Sequence, residues 1–201
     1  MSRAIALSEK SARSMKRLTK NSTIDAFSLT DVDGNVVRIP QKDKIIHLQF
    51  RRFSACPFCS VHMGQLKKRK TELDESGLVE VLLFYSENKH IKDDIRDIPF
   101  AIVADPKRFW YDKFGVERSI LGLLNPSAWL YGIKGFFLKI RRILHMLPNK
   151  GESLVGLPAE FLIDADGKLL EVKYGVHAYD QWSVDALLEM ARSHKKGAST
   201  V

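Results

Sequence analysis

The chain has 201 residues, 45% of them hydrophobic and 28% charged, which is enough apolar material for one ordinary core without cysteine staples. Charge or glycine breaks its apolar stretches well short of the roughly 18 residues of a membrane-spanning helix, which excludes a spanning protein. The formal charge of +8 is spread along the whole chain, so it argues for weak attraction to anions and against a dedicated nucleic-acid surface.

Residues 1–21 read as a basic N-terminal extension, a frayed tail or short helix. Six basic residues stand against one Glu in the first twenty, with no apolar run of the kind a secretory signal needs. Residues 22–194 read as a single domain without repeats or linkers, and 195–201 as a tail. Within the domain, "FSLTDVDGNVVRI" (27–39) places Asp33-Gly34 between two alternating apolar runs, a hairpin signal. "KIIHLQF" (44–50) is a buried strand that feeds into "FSACPFCSVHM" (53–63), where both cysteines of the chain lie. From Pro57 to about Leu73 the spacing is helical, with Cys59, Met63, Leu66 and Leu73 on one face. "LVEVLLFY" (78–85) and "FAIVAD" (100–105) are the next strands. "EFLIDADGKLLEVKYG" (160–175) is a second hairpin, turned at Asp166-Gly167, and "WSVDALLEMAR" (182–192) a final amphipathic helix. This order implies a mixed sheet covered on both faces.

Cys56 falls where a strand ends and a helix begins, and Pro57 suits the first helical position because its missing N–H is not wanted there. A sulfur at such a site faces unpaired backbone N–H groups and the positive end of the helix dipole, which favour thiolate over thiol. Arg51 and Arg52 add positive charge, and His62, one turn beyond Cys59, is a further tuning candidate. Cys56 is therefore the expected nucleophile. Cys59, aligned with Met63, is the expected buried partner that attacks a mixed disulfide. A bridge closing so short a loop adds little stability, so a purely structural role is disfavoured. A metal site would need more ligands, and the six histidines have no ligand spacing with the cysteines; His47, within a strand, reads as a core histidine. No cofactor or metal is called for. The absence of an export signal and of surplus cysteines points to a reducing, cytoplasmic setting.

These residues, taken in order, resemble the thioredoxin-fold superfamily, and within it the peroxiredoxin-like members of the AhpC/TSA (alkyl hydroperoxide reductase/thiol-specific antioxidant) group that carry a C-x-x-C. The resemblance rests on "FSLTDVDGNVVRI", "FSACPFC", "IVADPKRFWYDKFGV" (102–116) and "GLPAEFLIDADGKL" (156–169), over about Phe27 to Arg192. It implies an α/β thioredoxin fold, a central mixed sheet between helices, with Cys56 at the tip of the first active-site helix. Where peroxiredoxins carry a proline, a threonine or serine and an arginine for the peroxide, this chain has Gln49, Phe53 and Pro158. Ser54 or one of the arginines is left to substitute in part. Pro158 stands where thioredoxins hold a cis-proline, so the resemblance assigns a substrate groove to Leu157 and Pro158, with Phe53 and Ser54 on its other side. Ala55 and Phe50 replace the tryptophan and the buried acid of thioredoxins, and "CPFC" resembles the "CPYC" of glutaredoxins.

A helical insertion at about 118–150 goes beyond the minimal fold. From Trp129 to Leu147 apolar residues follow helical spacing opposite a basic side. Such a stripe is more often packed on its own sheet or a homodimer face than on a membrane surface. The resulting expectation is a thiol:disulfide oxidoreductase using Cys56 and Cys59, with Pro158 shaping the groove. Its partners are a protein or small-molecule disulfide or peroxide and an external thiol reductant of thioredoxin or glutathione type. The alternatives are a thiol peroxidase with Cys56 peroxidatic and Cys59 resolving, and a non-catalytic redox-sensing binding module.

Overall fold

The structure is a computed structural model that describes residues 16–95, 97–117, 148, 152 and 156–198. The helical insertion and the stripe from Trp129 to Leu147 lie outside the described residues.

The hairpin at 27–39 forms with β1 (Phe27–Thr30) antiparallel to β2 (Val36–Ile39) as a separate two-stranded sheet. Its loop is held by Asp31, whose carboxylate accepts the backbone N–H groups of Asp33 and Asn35, and Gly34 takes a φ of 91°. The central sheet contains β3 (Ile45–Phe50), β4 (Leu78–Phe84), β5 (Ala101–Ala104), β6 (Ala159–Ile163) and β7 (Leu169–Tyr174) in the order β5-β4-β3-β6-β7. β3, β4 and β5 run parallel, while β6 and β7 are antiparallel to their neighbours. β3 is buried along its whole length, with Ile46, Leu48 and Phe50 on one face and Ile45 and its two polar residues, His47 and Gln49, on the other.

One face of the sheet presents Ile46, Leu48, Phe50 and Phe161 to an aromatic layer that includes Tyr111 and Phe114. Tyr111 belongs to α4 (Phe109–Lys113), and a short α3 (Asn88–Asp94) follows β4. The other face packs Ile45 and Leu162 against Leu66, Leu73, Leu187 and Leu188. These helical residues come from α1 (Pro57–Lys68), α2 (Lys70–Glu75) and α5 (Val184–Ala198).

The helix expected from Pro57 to about Leu73 is thus two helices, broken at Arg69, whose φ of −114° and ψ of 24° lie outside helical values. Arg69 instead pairs with Glu72 and Asp185, tying the break to α5. The final helix begins after Ser183, whose Oγ accepts the Ala186 N–H at 3.2 Å. It runs to Ala198 rather than stopping before a tail at 195, because no breaker precedes Gly197, and His194 and Lys195 suit the last turns of a helix. Residues 16–21, assigned to the extension, lie on the domain: Asn21 N–H donates to Leu169 O at 2.8 Å and Leu18 N–H to Tyr174 Oη at 2.8 Å. Among the described residues no helix is long and apolar enough to cross a membrane.

Candidate active site

Cys56 stands at the junction of β3 and α1, at the carboxyl end of the parallel strands. Its φ of −64° and ψ of 118° are those of an N-cap, and Pro57 follows as the first helical residue. The turn closes through the Cys56 N–H donating to Phe53 O at 3.1 Å. No acidic residue occupies the first turn of α1, so the helix N-terminus keeps its full attraction for an anion.

Both cysteines are unbridged and fully buried. Arg52 Nη1 donates to Cys56 Sγ at 3.7 Å, and the Arg52 guanidinium carbon lies 5.4 Å from the centre of the Phe53 ring. Burial raises the Cys56 thiol, but the hydrogen bond with the Cys59 side chain, the Arg52 charge and the N–H groups of Cys59 and Phe58 outweigh it and bring it down to about 6. Cys59 moves the other way. Its hydrogen bond to Cys56, its burial and the Cys56 charge hold its proton well above the usual thiol range. The pair is therefore divided into a thiolate and a thiol that donates to it, the division thiol exchange requires.

The two arginines part company. Arg52 turns to Cys56, whereas Arg51 is fully buried and places Nη2 2.8 Å from His62 Nδ1. His62 Nε2 is 2.8 Å from Trp182 O, which can only accept, so Nε2 carries the proton and Nδ1 is the acceptor for Arg51. Burial and the Arg51 charge lower His62 to about 2, so it is neutral in the working range. Its partners are Arg51 and Trp182, and it reaches the thiols through Arg51.

Phe53 is buried and supplies the carbonyl that holds the Cys56 turn. Ser54 is fixed from both sides. Its N–H donates to Ser86 Oγ at 2.8 Å and its hydroxyl to Asp94 Oδ2 at 2.5 Å, so the hydroxyl proton is already committed.

Pro158 corrects the sequence expectation. The cis bond among the described residues is Ile39–Pro40; Leu157–Pro158 is trans. Pro158 leads directly into β6, its carbonyl accepts the Gly175 N–H at 2.9 Å, and its ring lies so close to Gly175 that a Cβ there would meet Pro158 Cγ at 2.8 Å. An extended trans proline fits this strand entry, where its missing N–H leaves no gap in the ladder. The segment meets the Tyr85 ring through Gly156, where a Cβ would lie 3.2 Å from it.

Sequence reading missed Tyr85, Ser86, Asp94 and Tyr111. Tyr111 Oη lies 2.6 Å from Arg51 O and 2.8 Å from Leu83 O, bracing the strand ends beneath the cysteines. Arg108 stacks over Tyr111 at 4.5 Å and Tyr85 at 5.4 Å. One signal was available: Tyr85 and Ser86 directly follow β4, the parallel neighbour of β3, and such carboxyl ends converge on one edge.

A mixed sheet in this order, with a cysteine pair at the start of the helix after its central strand, defines a thioredoxin-fold protein. A family model described as AhpC/TSA antioxidant enzyme matches residues 65–176, more than half of the sequence. The chain belongs to this family of thiol-dependent oxidoreductases. The match begins beyond Cys56 and Cys59, so it carries the family and not the cysteine pair.

Solved structures agree on the fold. The peroxidoxin BcpB of Mycobacterium tuberculosis superposes with a TM-score of 0.61 at 18% identity, over 88% of this chain and 98% of its own. The reduced 2-Cys peroxiredoxin of Plasmodium vivax gives 0.62 at 14% identity, over 90% and 84%. A cysteine-to-serine mutant of the peroxiredoxin 6 of Arenicola marina gives 0.65 at 14% identity, over 90% and 75%. A search of curated proteins returned no match.

Proposed function

We propose that the chain reduces a small hydroperoxide through a Cys56–Cys59 couple. The observation that carries this reading is the Arg52 guanidinium on Cys56 Sγ at a helix N-terminus, with Cys59 donating from the first turn. Arg52 does for the peroxide what the residues missing at Gln49, Phe53 and Pro158 do elsewhere: it holds the thiolate and offers N–H groups to a polarised O–O bond.

The Cys56 thiolate attacks the terminal peroxide oxygen. The O–O bond breaks, an S–O bond forms, and the leaving alkoxide takes a proton from solvent to become the alcohol, so Cys56 becomes a sulfenic acid. Cys59 then attacks the Cys56 sulfur; the S–O bond breaks, the disulfide forms, and the thiol proton leaves with the hydroxyl as water. An external thiol reductant, either one dithiol of thioredoxin type or two monothiols of glutathione type, restores both thiols and leaves as its own disulfide. This cycle suits a reducing, cytoplasmic setting, and a homodimer is compatible with it.

Thiol:disulfide exchange on a protein is the second reading. The C-x-x-C pair in one helical turn favours it, whereas full burial of Cys56 and a trans Leu157–Pro158 bond disfavour an extended peptide substrate.

Stopped-flow tryptophan fluorescence of the reduced protein with hydrogen peroxide tests the choice, with mass analysis for the Cys56–Cys59 bridge. Oxidation far faster than that of a free thiol is expected. Oxidation at a free-thiol rate, with rapid exchange against a protein disulfide, would transfer the assignment to disulfide exchange. Cys56→Ser should abolish turnover by either route, and Cys59→Ser should accumulate sulfenic acid or mixed disulfide; retained turnover in Cys56→Ser refutes the mechanism.

A further inference from the structure

Beneath α1 lies a layer of polar side chains that the chemistry at Cys56 does not use. His47 and Gln49 of β3, Glu80 of β4 and Glu160 of β6 share one face of the sheet and are all buried. His47 Nδ1 and Gln49 Nε2 both donate to Glu80 Oε2, the first at 2.7 Å. Glu160 Oε2 accepts the Trp182 N–H at 2.6 Å, while its Oε1 lies 3.6 Å from Arg51 Nη2 and 3.7 Å from His47 Nε2 without a hydrogen bond.

Arg51 is the anomaly in this layer. Its side chain is fully buried, only Nη2 has a hydrogen-bond partner, and Nε and Nη1 have none. A buried guanidinium with two idle nitrogens is costly to hold unless a negative group forms beside it during part of the cycle. Cys59 is such a group. It stands one turn before His62 on the buried face of α1, and His62 holds Arg51 Nη2, so the Arg51 charge acts on it.

We propose that Arg51 is the counter-charge for the Cys59 thiolate, and that Glu160 competes with Cys59 for it. The inference rests on the Cys56–Cys59 couple described above. Cys59 bears negative charge twice in that cycle. Its S–H bond gives up a proton as it attacks the Cys56 sulfur. Later, when an external thiolate attacks Cys56 and breaks the disulfide, the bonding pair leaves on Cys59 Sγ, which then takes a proton from solvent. Arg51 exchanges neither proton nor electron; its idle N–H groups meet the charge, which makes it a positioning residue. The other ionisable groups facing the pair are Cys56, Arg52, His62, Tyr85 and Tyr111, with His47 and Glu80 behind Glu160.

The test needs no turnover. In full-length Cys56→Ser, Cys59 is the only thiol, and its ionisation midpoint is read from ultraviolet thiolate absorbance against pH. Adding Arg51→Met should raise the midpoint by about one pH unit or more, and Arg51→Lys should recover part of the shift. Glu160→Gln, which keeps the acceptor for Trp182, should lower the midpoint, because the thiolate no longer competes with a carboxylate. Opposite shifts support the proposal, since a merely structural arginine moves neither. An unchanged midpoint in both variants, or shifts in the same direction, overturns it. Should Arg51→Met not fold, Glu160→Gln decides by itself: a fall supports the proposal, and no change or a rise overturns it. A failure of the peroxidase reading would appear instead in the wild-type peroxide kinetics.

Discussion

At the scale of single residues the site depends on unequal treatment of two identical thiols. Cys56 at about 6 is roughly nine-tenths thiolate at pH 7, against a few per cent for an ordinary cysteine. The hydrogen bond with Cys59 is the largest lowering cause and the Arg52 charge the next, so Arg52→Leu should move the midpoint of Cys56 alkylation from about pH 6 part of the way toward the ordinary value of about 8.5. A midpoint that stayed near 6 would leave the helix N-terminus and Cys59 as sufficient causes. His62 yields a stability prediction of definite sign. Its folded value is depressed to about 2 from 6.5, so below about pH 6.5 the unfolded chain binds a proton that the native chain refuses. Stability is therefore fully present above about 6.5 and is lost progressively as pH falls toward 2. His62→Gln, which can donate to Trp182 and accept from Arg51, should flatten that dependence. The difference between the two proteins should reach on the order of 1–2 kcal/mol between pH 7 and 5 by urea unfolding.

At the scale of elements, much was written in the local sequence. Cys56 and Pro57 mark a helix start by their own chemistry, and β3 through β5 announce themselves as largely apolar runs, interrupted by His47, Gln49 and Glu80, between turn residues. The Asp166-Gly167 turn between β6 and β7 was legible too, and the structure adds its second function. Gly167 has a φ of 82°, and a Cβ there would meet Ile24 O at 2.8 Å, since the Ile24 N–H donates to Gly167 O at 2.9 Å. Gly167→Ala should destabilise the protein by about 1–3 kcal/mol in urea titration, through backbone strain and displacement of the N-terminal segment. The break at Arg69 was not legible. Residues 57–75 hold a helical pattern throughout, and the interruption is fixed by the pairing of Arg69 with Asp185 across to α5. The trans Leu157–Pro158 bond was likewise decided by neighbours, here the close approach of Gly175.

At the scale of the whole molecule, the core and the site are one construction. The aromatic layer on one face reaches the cysteines through Tyr111, whose hydroxyl lies between the carbonyls of Arg51 and Leu83. Tyr111→Phe should cost about 1–2 kcal/mol in thermal or urea unfolding. It should also slow Cys56 oxidation, because the strand end that aims Arg51 and Arg52 loses its brace; an unchanged oxidation rate would separate the core from the site.

The sequence by itself determined a mixed α/β domain and a cysteine pair at a helix start, because capping, periodicity and turn chemistry are local and act over a few residues. It could not determine that Arg52 turns to Cys56 while Arg51 turns inward to His62 and Glu160, nor that Ser86 and Asp94 fix Ser54 while Tyr85 faces the thiols. Those choices depend on which side chains meet when β3, β4 and β6 come into register beneath α1. Only the folded sheet sets the burial and charge that each of them experiences.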